Sequence, residues 1–137
     1  MSVYLTVRDR QPYYSLLADF EPGQQAMSAL DAHNGNVETT VEDLWSQTQG
    51  PEEFSRGRKL WDTLIKVLRE ELCGDEGLQA QFKKYTKNPG SAPLLTGLIV
   101  SLTTAAGLPI DPAISTVVVL YVLKIGLNVF CEYTASS

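Results

Sequence analysis

The placement of charge constrains this chain more than any other feature. Residues 90–137 hold three of its 27 formally charged residues, Asp111, Lys124 and Glu132. The other 24 lie in residues 1–89, so a polar front precedes an apolar back. That back divides into two segments, 93–108 and 112–133, joined by Pro109-Ile110-Asp111. A helix that is apolar on every side lies in a protein core or in a membrane. LLTGLIVSLTTAAGL runs 15 residues without a charge. At ~1.5 Å per residue it spans roughly 22 Å, short of the ~30 Å hydrocarbon layer. Lys124 and Asn128 interrupt the longer AISTVVVLYVLKIGLNVFC. The two segments are therefore expected to form a hydrophobic helical hairpin (93–133) buried in a water-soluble bundle. Gly97, Ser101, Ala105 and Gly126 would allow close helix contact there.

The rest of the chain reads as helices that could cover this hairpin. KNPGSAP (87–93) is the joint, since proline and glycine stop helices and favour turns. Ahead of it, Gly50-Pro51 opens a long helix, with Glu52 and Glu53 at its positive dipole end. Phe54, Trp61, Leu64, Ile65, Leu68 and Leu72 fall on one face of it. Gly74 is its expected stop. Glu76–Thr86 forms a shorter helix carrying Leu78, Phe82 and Tyr85. At the N-terminus, Val3, Leu5 and Val7 alternate with Tyr4, Thr6 and Arg8, which allows a short strand. Tyr13–Phe20 is expected to be a helix broken by Glu21-Pro22-Gly23, before a second helix over Gln24–Ala32.

The sharpest local signal is AMSALDAHNGNVETTVEDLW (26–45). Asn34-Gly35 favours a left-handed turn, because glycine accepts positive φ freely and asparagine does so better than most residues. Asn36 can cap the following helix, Val37–Gln47, and Glu38 sits in its first turn. Ala26, Ala29 and Leu30 on one helix would face Val37, Val41 and Leu44 on the next. Leu16, Leu17 and Phe20 could close a third side.

On these residues the run LLADFEPGQQAMSALDAHNGNVETTVEDLW (16–45) resembles the ubiquitin-associated (UBA) superfamily. That superfamily includes CUE domains and the N-terminal helical domain of elongation factor Ts. Ala29-Leu30, the Asn34-Gly35-Asn36 turn, Val37-Glu38, Val41 and Leu44 fall in the family register. The resemblance implies a three-helix bundle within residues 1–49, followed by a helical bundle over 50–137. It also implies a binding patch at Asp19, Phe20, Leu44 and Trp45. Ala18-Asp19-Phe20 stands where UBA domains usually carry Met-Gly-Phe. That departure points away from ubiquitin, towards a helix or sheet of another protein.

Chemistry-bearing constellations do not emerge. His33 is the single histidine and is expected to be a solvated helix-end residue. No Cys/His spacing suggests zinc, and no cofactor is implied. Cys73 and Cys131 are expected to be reduced thiols, since a disulfide framework normally carries more cysteines. A net charge of −5 with no basic run argues against nucleic acid. MSVYLTVRDRQ lacks the order of a signal peptide, so a cytoplasmic location is expected. The chain is thus expected to be all-α and not an enzyme: an interaction or adaptor module with a protein partner, and a plausible homodimer. The alternative is a membrane-active protein whose apolar hairpin inserts on a trigger.

Overall fold

The protein is all-α. A computed structural model describes residues 4–49, 57–74, 76–105 and 111–135. Two short helices, α1 (Val7–Arg10) and α2 (Tyr13–Leu16), lead into α3 (Glu21–Ala32) and α4 (Val37–Gln49). Then follow α5 (Gly57–Gly74), α6 (Glu76–Lys87), α7 (Ala92–Ala105), α8 (Pro112–Ile125) and α9 (Leu127–Ala135). The expected N-terminus of the long helix at Pro51-Glu52-Glu53, and Phe54 with it, lies outside the described residues.

The hairpin occupies the centre. Every residue of α8 from Ala113 to Val122 is buried. α3 and α4 cover α8 on one side and α7 packs along another, so the front helices share one buried cluster with the hairpin. The amphipathic faces over 54–72 and 76–86 are expected to cover the hairpin, and α3 and α4 cover it as well. α5 and α6 do contribute Trp61, Leu64, Leu68, Leu72, Leu78, Phe82 and Tyr85. Two hydroxyls inside the core find partners, as buried polar groups must. Thr103 donates to Ser115 Oγ across α7 and α8 at 2.7 Å, and Thr116 donates to the Pro112 carbonyl at 2.7 Å. The Tyr85 phenol closes the α6–α7 joint by donating to the Pro89 carbonyl at 2.9 Å. Burial, with a smaller contribution from Tyr13, pushes its pKa up to about 12.

Several local expectations are corrected. Among the described residues there is no strand near the N-terminus. Tyr4 makes an isolated antiparallel bridge with Asn36, and Val7 already opens α1. A capping box decides this: the Asp9 N–H donates to Thr6 Oγ1, and the Thr6 N–H donates to the Asp9 carboxylate. The helix at Tyr13 stops at Leu16 rather than Phe20. Glu21-Pro22-Gly23 is no break but the first turn of α3, with Phe20 extended ahead of it. Proline there forfeits only an N–H that a helix start leaves unpaired anyway. The second apolar segment is not one helix either. Gly126 adopts φ +89° and separates α8 from α9.

The cysteines are corrected as well. Cys73 near the end of α5 and Cys131 in α9 are joined by a disulfide, with their Cα atoms 5.8 Å apart. They stand 58 residues apart in sequence, and only the return of the chain at Gly126 brings them together.

Lys124 is exposed and paired at the end of the apolar α8. Its stem lies on the edge of α8, and its ammonium donates to the Tyr4 carbonyl at 2.6 Å and the Asp9 carboxylate at 2.7 Å. It thereby ties the N-terminal segment to the hairpin. The Lys124 hydrogen bond, then the Thr6 N–H, hold the Asp9 carboxyl below its ordinary 3.8. A depressed acid stabilises the fold above its ordinary pKa, and that contribution is lost as pH falls through the depressed value. In Lys124→Leu, the Asp9 carboxyl is expected to titrate closer to 3.8, followed by carboxyl-carbon NMR. The loss of stability should stay within about 1 kcal/mol, because the pair is partly solvated. An unchanged Asp9 titration in the variant would show that Lys124 does not set it.

Candidate functional site

The binding patch implied by the UBA resemblance is built by the α2–α3 loop and by α4. The loop is held from both sides. The Phe20 N–H donates to the Leu17 carbonyl at 3.0 Å, and the Gln24 side chain donates to the Ala18 carbonyl. Asp19 is exposed, while Phe20 and Trp45 are half-buried and packed against the core. Leu44 is a correction. It is 1% exposed and belongs to the core, because the face of α4 that carries Val37 and Val41 turns it inward. A patch at this position therefore consists of Asp19 with the outer parts of Phe20 and Trp45.

The helix-turn-helix itself is formed as the sequence reading expects. Asn34 takes φ 55° and Gly35 φ 84°. The Gly35 N–H donates to Leu30 O at 2.7 Å and the Asn34 N–H to Asp31 O at 3.2 Å, which satisfies two end carbonyls of α3. Asn36 Oδ1 accepts from the Thr39 N–H at 3.0 Å and caps α4. His33 is not merely solvated, because its Nε2 meets the Asp43 carboxylate at 3.0 Å and links the end of α3 to α4.

Beside the loop lies a feature that sequence reasoning missed. A groove of about 380 Å³ runs between α2 and α3, lined by Tyr14, Leu17, Ala18, Gln24, Met27, Ser28 and Asp31. Asp31 is its electrostatic centre. The Arg10 guanidinium, itself nearly buried, pairs with this carboxylate, and Tyr14 Oη donates to it at 2.5 Å. That hydrogen bond, more than burial, raises the Tyr14 pKa. These contacts join residues 17 and 21 positions apart, so no local pattern announces them. The surrounding segment is acidic: residues 1–49 hold seven carboxylates against Arg8 and Arg10.

Among the described residues, no group of three His, Cys, Asp or Glu side chains could hold a metal ion. Among the same residues, no helix is long and apolar enough to cross a membrane. No protein family, curated protein or solved structure matches the chain.

Proposed function

We propose that this protein is a non-catalytic interaction module that recognises a protein partner at its front face. The observation that carries the reading is the groove between α2 and α3, next to the exposed Asp19 and the half-buried Phe20. Its exposed lining is Tyr14, Ala18, Gln24, Ser28 and Asp31, over a floor formed by the buried core residues Leu17 and Met27. Such a combination suits a side chain or a short helix from another protein, fixed by a few polar contacts. The excess of carboxylates over residues 1–49 favours a partner with a basic surface. A UBA-like fold would place recognition on the same side, with a ubiquitin-like protein as one occupant. The Cys73–Cys131 disulfide favours an oxidising compartment over the cytoplasm as the working location.

The test compares the full chain with Phe20→Ala and Trp45→Ala. Each variant should stay folded by circular dichroism. Each should lose about 1–3 kcal/mol of affinity for a partner captured from native extract, as truncated aromatic anchors do. Equal capture by all three proteins places recognition elsewhere, and direct titration with ubiquitin decides that occupant. Membrane insertion of the hairpin makes a different prediction. It requires flotation of the wild-type protein with anionic vesicles at pH 7 or pH 5, whereas an interaction module stays at the bottom of the gradient.

A further inference from the structure

We propose that the Cys73–Cys131 disulfide is a redox latch: it holds α9 on α5, and its reduction by a dithiol releases α9 about Gly126. Three observations carry this. The first is how few of the described α9 side chains are buried. Of residues 127–132, Phe130 alone is fully buried, while Asn128, Val129 and Glu132 are exposed. The Phe130 ring lies edge-on to Tyr121, with centroids 6.1 Å apart, and Tyr121 meets Trp61 in the same way at 5.4 Å. α9 has nine residues, and helices shorter than ~12–15 residues are marginal without docking. Among residues 127–132, the side chains that pack on the core are Phe130, the partly buried Leu127, and Cys131 with its disulfide.

The second observation is the hinge. α8 ends with the Gly126 N–H on the Val122 carbonyl at 2.7 Å, and the backbone then turns through positive φ. A groove of about 360 Å³ opens beside this point, lined in part by Phe82, Val122, Leu123, Leu127 and Val129. The start of α9 is thus not closed in against α6. α8, by contrast, packs on α3, α4 and α7 as well as on α9, and Ala113–Leu120 are all buried. Movement about Gly126 leaves that core intact.

The third observation is access. Cys73 and Cys131 are both half-buried, so neither residue is sealed inside the core. In the exchange, one thiolate of the dithiol attacks a cysteine sulfur. A mixed disulfide forms, and the other cysteine leaves as a thiolate and takes a proton. The second thiol of the reductant then closes its own disulfide and frees the remaining cysteine. The protein gains two electrons and two protons, and the dithiol loses them. Release uncovers Phe130 and the Tyr121 face against which it rests.

The experiment is amide hydrogen exchange on the full chain in three forms: oxidised, reduced with dithiothreitol in native buffer, and the double variant Cys73→Ser/Cys131→Ser. Reduction should be complete without denaturant. The reduced and double-variant proteins should lose protection at least about tenfold over residues 127–132, with residues 112–122 changed by no more than about twofold. Reoxidation should restore the protection. Retained protection of α9 in the reduced protein overturns the latch. So does a disulfide that yields only in urea. Loss of protection across α3, α4 and α8 together, or a double variant that fails to fold, identifies a staple of the whole fold and overturns it equally.

Discussion

Replacing Gly35 with alanine is expected to lower stability by about 3–5 kcal/mol, a large part of the ~5–15 kcal/mol that holds a typical domain together. Two independent costs combine. The residue sits at φ +84°, where an L side chain pays roughly 1–2 kcal/mol. A Cβ built there would lie 2.0 Å from the Leu5 carbonyl oxygen, a backbone atom that cannot swing aside. The N-terminal segment would have to retreat. It would lose the Leu5 N–H bond to the Gly35 carbonyl (2.8 Å) and draw Leu5 out of the core. Exposing a leucine costs about 1.5–3 kcal/mol. Urea denaturation measures the result. Asn34→Gly is the control, since φ 55° suits glycine, and its midpoint should hardly move. A Gly35→Ala midpoint equal to wild type would mean that the N-terminal segment does not pack on the turn.

The second large effect concerns Leu44. Leu44→Ala should cost about 2–5 kcal/mol, the range for truncating a fully buried leucine. Partner affinity per folded molecule should stay unchanged. Trp45→Ala should show the reverse pattern, with weakened binding and a smaller loss of stability, because Trp45 is only half-buried. Paired denaturation curves and binding isotherms separate the two. A Leu44→Ala protein that is stable but fails to bind would return Leu44 to the recognition surface.

The neighbouring roles of Leu44 and Trp45 mark how far a linear reading reaches. A patch transferred from a family places both at the end of a helix. Which of them turns inward depends on what α4 packs against, and that surface is shared by α3, α5 and α8, the last more than 60 residues further along the chain.

The features legible in the sequence are those whose partners are near in the chain. The Asn34-Gly35-Asn36 turn is one, since the hydrogen bonds that join it to the end of α3 close within five residues and its backbone needs are met by residue type alone. The buried hairpin is another, because a nearly uncharged stretch has few environments open to it. Glu21-Pro22-Gly23 shows the limit even of local reading. Proline both ends helices and begins them, and the choice depends on whether Phe20 is held extended by the packing around it. Beyond that limit, tertiary structure decides. The break at Gly126 is a single glycine in an apolar run, and it separates two helices only where the chain turns back towards α5. The Cys73–Cys131 bond, the Arg10–Asp31–Tyr14 cluster and the Lys124 contacts with Tyr4 and Asp9 join residues 17 to 120 positions apart. A side chain's composition and neighbours do not specify such a partner. It is specified by the packing of α3, α4 and α7 around α8, the large-scale burial that brings distant polar groups within bonding distance.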